Sequence, residues 1–533
     1  MPPTSRRDRI TLVLIVAAAA VLRIWWADAL SHNPAWSDPD GYREMSRLLV
    51  GNHGWRWTPR AVQFAEFTKA PLYQVLLSVF WRFDAAVPFT NGALAAHALL
   101  NASSCAAMFV IGSRLHTRRS GLIAAVVYAL WLPNVMPTAT FWQEQLFIPA
   151  VCWAMAGTAV AMETRRPRHW VTAGALFAVA ALTRSSITYF VIPAACVVAL
   201  SARPRAQAMR EAAFLAGGFA LLALPYVVYI STVTGRLTFV ESIGYFSLKH
   251  FDSVSPADPR INLLTMLHDP AGPPTTGEVL RFLGRDFAAS PGAFVLRRLD
   301  FVRLLLKPGG GSYLAGRFVA TAGEASMLRV AVHAALDVPF VLALVLAPFG
   351  AALARRRRLA AVLMLWPPIL MAMVALVLWA GTRFRAPAEP VLLALMAVVL
   401  AGEWRRPGRV ALTLAAGASL VVAGLIAVSV PSVMIPRAGY GVSAAPSPES
   451  DTPFTGAMGA YVDSKGTALV ISLQSAGAAP IAVTVRVDGK TADAFTFAGS
   501  AHRRYTFDTP RRVYLEVAAT EAGRPAPVVL RLE

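Results

Sequence analysis

Again and again this chain runs for about 15–25 residues without a charge, the length an α-helix needs to cross a bilayer. In hydrocarbon the backbone of such a run must be satisfied within the segment, so membrane-spanning helices are the fold it permits. Composition agrees: of 533 residues, 56% are hydrophobic and 15% charged. A net charge of +20 would suit a nucleic-acid partner if it formed a continuous basic surface. Instead the arginines fall in short clusters between the apolar runs: Arg6/Arg7/Arg9, Arg114/Arg118/Arg119, Arg165/Arg166/Arg168, Arg203/Arg205/Arg210, Arg355 to Arg358, and Arg405/Arg406/Arg409. Such clusters mark cytoplasmic loops, so the charge reports topology. Cys105, Cys152 and Cys196 all sit inside apolar runs, which implies packing and no disulfide framework.

If every cluster is cytoplasmic, an even number of crossings separates each consecutive pair. Gly121 to Pro133 and Leu146 to Met162 then form a hairpin whose outer turn, "PTATFWQEQ", contains Glu144. Between Arg168 and Arg203 lie ~48 Å of helix, too long for one crossing of a ~30 Å core. Two short crossings turning at "TRSS" fit, and they put Arg184 at the outer face. Leu359 to Gly402 folds the same way around "GTRFRAPAEP", which carries Arg383 and Arg385. Glu211 to Val233 and Val330 to Ala354 are single crossings, and Ala411 to Val430 is the last. The expected architecture is an all-α polytopic membrane protein of about eleven transmembrane helices, with the N-terminus cytoplasmic and the C-terminus outside. The opening "RRDRITLVLIVAAAAVLRIWWADA" also has the form of a signal peptide, with a cleavage-like Ala27-Asp28-Ala29, and the charge pattern does not choose between the two.

The membrane domain is expected over 1–433, with outer loops at 28–90 and 234–328. In the first loop, "GYREMSRLLVG" has the spacing of an amphipathic surface helix, and "APLYQVLLSVFWRF" is apolar but too short to cross. In the second, "SPGAFVLRRLDFVRLLLKPGGG" predicts a helix capped at Ser290 and ended by Lys307-Pro308-Gly309. Its basic residues are either snorkelling interfacial cations or phosphate contacts. From residue 446 to 533 the pattern changes to alternation ("ALVISLQSA", "IAVTVRVDGK", "RRVYLEVAAT", "VVLRLE"), with Asp488-Gly489 as a turn signal. This predicts a small extracytoplasmic β-sandwich without a catalytic constellation.

Asp38 and Asp40 follow the first apolar run, two residues apart. With Glu144, Arg184, Arg383 and Arg385 they come from distant segments, yet all map to the outer face. Charge beside hydrocarbon is costly unless paired or functional. Carboxylates that take a proton and arginines that hold a phosphate would suit acid–base chemistry on a phosphorylated substrate; the same residues could equally be salt bridges between short hairpins. In "TRFRAP", extended backbone before Pro387 would send Arg383 and Arg385 to opposite sides, one to a phosphate and the other to Glu389 or a lipid headgroup. There is no Walker-type loop, HExxH or CxxC pair; "PGGGS" at Pro308 is a hinge, and His97 and Asn101 are polar residues satisfied within the bundle.

These motifs in this order resemble the GT-C glycosyltransferases of the protein O-mannosyltransferase-like group, which includes the lipid A aminoarabinose transferases. "DPDGYREMSRLLVGNHGW" is similar to the first-loop pattern of that group, with an aspartate four residues before a tyrosine. "KAPLYQVLL" resembles its Pro-Leu-Tyr element, "FWQEQLF" its Glu-x-Leu-Phe helix start, and "RFRAPAEPVLLAL" its Arg-aromatic-Arg-x-Pro helix. "GALFAVAALTRS" resembles its Gly/Ala-rich helix ending in Thr-Arg, with Ser185 where proline is commoner. The likeness covers roughly Arg9 to Val430 and excludes the β-domain. It implies a retained first helix and a polyprenyl-phosphate-linked sugar as donor. It also implies transfer at the outer face of the plasma membrane to an envelope lipid, glycan or protein. Asp38 matches the family's catalytic base, with Asp40 able to take that role or bind the acceptor. Arg184, Arg383 and Arg385 would bind the donor phosphate, with Tyr42, Lys69 and Glu144 in support.

The function expected is therefore inverting transfer of a hexosyl or pentosyl group. No cofactor is expected, and a divalent metal is neither required nor excluded. Two rivals are a lipid-linked sugar flippase or transporter and an inactive envelope scaffold. Transporters place charge near the midplane on repeated halves, whereas here it gathers at one face and no repeat is visible.

Overall fold

The computed structural model describes residues 6–31, 42, 46, 49–50, 70–83, 88–201, 204–234, 237, 284, 287–288, 291–306, 327–377, 385–403, 408–429 and, with short gaps, 452–532. Asp38, Asp40, Lys69, Arg383, Ser290, Lys307 and the "PGGGS" stretch lie outside the described residues. The described residues fall into two compact units that divide between Ser429 and Thr452.

The first unit is helical: α1 (Arg6–Ser31), α2 (Pro71–Phe83), α3 (Pro88–Leu115), α4 (Arg118–Ala129), α5 (Glu144–Thr164), α6 (Pro167–Thr183), α7 (Val191–Ser201), α8 (Arg205–Thr234), α9 (Pro291–Leu306), α10 (Met327–Leu353), α11 (Arg357–Val377), α12 (Glu389–Ala401) and α13 (Arg409–Ser429). Among the described residues six helices are long and apolar enough to cross a membrane, namely α1, α3, α5, α8, α10 and α13. A seventh span results if α4 is joined to Leu132–Ala139 across a 57° bend. The chain is a multi-pass membrane protein. The expected turn at "TRSS" is present: α6 ends at Thr183, and a 3₁₀ run, Ser185–Phe190, leads into α7. That run supplies ~12 Å of rise and α7 ~16 Å, so the two together approach the thickness of the core.

α12 lies innermost. From Glu389 to Val398 every residue is buried, and the helix packs against α10, α4, α3 and α11. A helix apolar on all sides has no face for water, which is why it takes this place. Elsewhere small residues set the packing distance. α6 crosses α8 so closely that a Cβ on Gly174 would stand 2.0 Å from the Leu215 carbonyl oxygen, and one on Gly218 would stand 2.1 Å from that of Val171. Helices in lipid associate through such close approach, not through the hydrophobic effect.

α1 belongs to this bundle. Arg23 is fully buried and donates to Asn101 Oδ1 (2.8 Å) and to the carbonyls of Ala129 (2.9 Å), Tyr128 (3.2 Å) and Ala19 (3.2 Å). Two of those carbonyls end α4, where the intrahelical donors run out and a cation suits the negative end of the dipole. Trp26 Nε1 donates to Met136 O (3.0 Å) just past the bend. These contacts tie α1 to the bundle.

The second unit is all antiparallel β: β1 (Thr452–Thr455), β2 (Ala457–Asp463), β3 (Ala468–Gln474), β4 (Ile481–Val487), β5 (Lys490–Phe497), β6 (Ser500–Thr506), β7 (Arg512–Glu521), β8 (Arg524–Pro525) and β9 (Pro527–Leu532). One sheet has the order β1-β9-β3-β6 and the other β2-β7-β4-β5, with β8 on β7. Ile471, Leu473, Val483, Val485, Val517 and Val528 form the core between them. The Asp488-Gly489 signal falls between β4 and β5, where Val487 pairs with Lys490.

Candidate active site at one end of the helix bundle

Ion pairs sort the helix ends into two faces. Glu163, ending α5, pairs with Arg114 at the end of α3 (3.1 Å) and Arg356 before α11 (2.8 Å). Asp8 at the start of α1 pairs with Arg118 at the start of α4 (3.2 Å), and Glu403 after α12 pairs with Arg355 (3.8 Å). This is the arginine-rich face. The other ends of α5, α6 and α12 therefore lie together at the opposite face, and they carry Glu144, Arg184 and Glu389.

Glu144 opens α5, where a carboxylate complements the positive end of the helix dipole. Its Oε1 accepts from Nη1 of Arg184, the extended residue that ends α6. Both side chains are nearly inaccessible, 7% and 5% exposed. The Arg184 guanidinium also stands 5.7 Å from the Phe147 ring centroid. Removing two charges from water is tolerable only when they meet each other, so this pair holds the ends of α5 and α6 in register.

Arg385 starts the turn before α12 and is buried. Its Nε donates to Glu389 Oε1 (3.1 Å), its Nη1 reaches the Leu305 carbonyl at the end of α9 (3.4 Å), and its plane lies 3.4 Å from the Phe340 ring centroid on α10. Glu389 Oε2 accepts from Trp131 Nε1 (2.7 Å), and Asp337 on α10 adds its charge to the cluster. The guanidinium is thus committed on its edge and its face. Arg385, expected to bind the donor phosphate, is paired here with Glu389, which supplies the carboxylate that an arginine this deep needs. Of the two partners considered for the "RFR" pair, Glu389 is the one Arg385 takes.

A third cluster ties the first loop to this end. The Tyr42 hydroxyl donates to Gln143 Oε1, one residue before Glu144. The Tyr42 ring meets Tyr73 of α2 edge-on at 5.0 Å, and the Tyr73 hydroxyl lies 3.1 Å from His97 Nε2. His97 in turn packs edge-on against Phe141 at 5.8 Å. Tyr73 thus satisfies one side of the His97 ring, while Asn101 is satisfied by Arg23. Among the described residues no group of three or more His, Cys, Asp or Glu side chains is placed to hold a metal ion.

The structure thus brings Glu144 to Arg184 and Arg385 to Glu389, and sets Tyr42 against the residue next to Glu144. Sequence reasoning missed Trp131, Gln143, Phe340 and Asp337. Asp337 could have been found, since it is a lone acid in the apolar run "HAALDVPFVLALVL". The other three carry no formal charge, and nothing in their spacing sets them apart.

Residues 70–230 match the family described as dolichyl-phosphate-mannose-protein mannosyltransferase, a stretch that contains α2, Gln143, Glu144 and Arg184. The resemblance to GT-C glycosyltransferases holds over that stretch. No curated protein matches the chain. Among solved structures, the chain is similar to the apo oligosaccharyltransferase of Archaeoglobus fulgidus (14% identity, TM-score 0.48, covering 80% of this chain and 55% of that one). It is also similar to ArnT from Cupriavidus metallidurans bound to undecaprenyl phosphate (15% identity, TM-score 0.45, 80% and 66%). The chain spans a little over half the length of the oligosaccharyltransferases it matches.

Proposed function

We propose that the protein is a membrane glycosyltransferase that moves a sugar from a polyprenyl-phosphate donor to an acceptor hydroxyl at the outer face of the plasma membrane. The observation that carries this reading is the buried Glu144–Arg184 pair at the bundle end opposite the arginine clusters, inside the stretch that matches the mannosyltransferase family. The arginine-rich face is cytoplasmic by the positive-inside rule, which puts this pair and the C-terminal β-unit outside. Asp38 takes the proton of the attacking hydroxyl, with Asp40 beside it to bind the acceptor or share that role. The oxygen attacks the anomeric carbon, the bond to the phosphate breaks, and configuration inverts. Arg184 and Arg383 hold the departing phosphate, since a planar guanidinium matches its oxygens in pairs. Arg385, held by Glu389, is the further candidate for that phosphate and the start of the turn into α12. Lys69 adds positive charge to the same loop as the acids.

The test is to incubate membranes containing the protein with a panel of labelled polyprenyl-phosphate sugars and follow the label. One sugar should move to an acceptor, and Asp38→Asn should abolish transfer while leaving insertion intact. Normal turnover by Asp38→Asn and by Asp40→Asn would sink the mechanism. Label crossing the bilayer while still on its lipid would indicate a flippase.

A further inference from the structure

We infer that Gln143 is a positioning residue: its side-chain carbonyl, by accepting from Tyr42, registers the first outer loop against the helix start that carries the Glu144–Arg184 pair. The inference rests on the glycosyl-transfer reading, because it gives the loop something to be in register with. Three observations support it. Tyr42, helical in the segment between α1 and α2, is 1% exposed, so its hydroxyl must be paired on burial, and Gln143 provides the partner. The Tyr42 ring is held from the side by Tyr73, which is itself fixed by His97 of α3, so packing helps to aim the hydroxyl. Gln143 is also the residue directly before Glu144, so any shift at its side chain is one peptide away from the carboxylate that holds Arg184.

The chemistry explains why a glutamine serves here. A second carboxylate beside Glu144 would compete for the one arginine and repel a departing phosphate. An amide offers Tyr42 an acceptor without that charge. Asp38 and Asp40 precede Tyr42 by four and two residues in the sequence, so fixing the tyrosine limits how far the acids can stray from α5. Gln143 touches no reacting atom in this scheme; it acts through Tyr42.

The experiment uses the full-length protein in lipid nanodiscs. Tyr42→Phe removes the donor, Gln143→Leu removes the acceptor, and Gln143→Glu keeps an acceptor of the same length. With the labelled polyprenyl-phosphate sugar that the panel finds to be transferred, each of the first two variants should lose about ten- to a hundredfold in kcat, the size of effect that misplacing a reactive group by an ångström produces. Undecaprenyl phosphate should bind them within about twofold of wild type, a small change set by leaving the phosphate contacts in place. The double variant Tyr42→Phe/Gln143→Leu should lose no more than the worse single one, because both remove one contact. Gln143→Glu should retain the contact and bind undecaprenyl phosphate more weakly.

Additive losses, wild-type kcat in Tyr42→Phe, or a fall in undecaprenyl phosphate binding equal to the fall in kcat would each overturn the positioning role. A second measurement needs no sugar. The thermal unfolding midpoints of the two single variants and the double variant should be non-additive, and additivity there overturns the contact itself. These outcomes are separable from failure of the enzymatic reading, which is decided by Asp38→Asn and Asp40→Asn.

Discussion

Replacing Arg385 separates a structural clamp from a substrate ligand. Arg385→Met keeps much of the volume and removes the charge, leaving Glu389 buried, among the described residues, with the Trp131 hydrogen bond and the charge of Asp337 nearby. Breaking a buried ion pair from one side costs ~3–5 kcal/mol, because the surviving charge has no solvent to return to. The face contact with Phe340 adds to the loss, at up to ~2 kcal/mol for a desolvated cation–π pair. Arg385→Lys keeps the charge but forfeits the planar stacking and the two-edged hydrogen bonding, so ~1–3 kcal/mol is expected. The double variant Arg385→Met/Glu389→Leu should recover most of the stability, since a buried pair replaced by apolar side chains of similar volume is often near neutral. Thermal unfolding in nanodiscs, read alongside undecaprenyl phosphate binding, is the assay. Arg383→Lys is the control, and it should weaken binding while leaving the unfolding midpoint in place. The reasoning fails if Arg385→Met unfolds like wild type yet no longer binds undecaprenyl phosphate, because Arg385 would then be the phosphate ligand.

Gly174→Leu should block the α6–α8 crossing, since even a Cβ there would overlap the Leu215 carbonyl; the variant should be recovered at a small fraction of the wild-type yield from membranes, whereas Gly417→Leu, where a Cβ meets nothing within 4 Å, should not. At the basic face, burial and then the Arg355 charge hold the His116 pKa below the ordinary histidine range, while its Nε2 donates to the Glu403 carbonyl at 2.9 Å. A folded-state pKa below the unfolded value of about 6.5 means the neutral ring stabilises the fold fully above that pH, and the contribution is lost as pH falls through the folded value. The unfolding midpoint should therefore drop on acidification from pH ~8 to ~5 by less in His116→Gln than in wild type; equal drops would exclude the histidine as the source.

The fold was legible because charge is scarce in this chain. With 15% charged residues, each arginine cluster constrains the helices on either side, and the turn at "TRSS" follows from length alone. The helix ends came out where polar residues interrupt apolar runs, as Glu144 and Glu389 show. The β-unit was only partly readable. β3, β4, β7 and β9 alternate with Val, Ile and Leu on one side, but β5 ("KTADAFTF") mixes Ala, Asp and Lys, which disfavour strands, and it is held by pairing with β4. The bend after α4 was also hidden. Pro133 and Pro137 mark a break, but only the capping of α4 by Arg23, a residue 106 positions earlier than Ala129, shows why the helix can stop there.

At the site, charge again divides what could be read from what could not. Glu144, Arg184 and Arg385 were found because an ionisable residue beside an apolar run needs a reason. A phosphate role for the arginines was one of two readings their charge allowed, and the resemblance favoured it over salt bridges. The surroundings consist of side chains whose importance depends on direction: the indole N–H of Trp131, the amide of Gln143 and the ring face of Phe340. None of these departs from what an apolar helix end ordinarily contains. The physical consequence is that each described arginine of the predicted site is held by a carboxylate from a neighbouring position, Glu144 for Arg184 and Glu389 for Arg385. A guanidinium near hydrocarbon without a counter-charge would be costly, so a bundle that keeps arginines there must supply carboxylates with them. For Arg385 the carboxylate comes from its own turn and the cation is further enclosed by Phe340 and Leu305, which makes it a fixed part of the frame. For Arg184 the carboxylate comes from a different helix, so any anion that engages Arg184 must compete with Glu144, and the strength of that competition is set by how α5 and α6 meet.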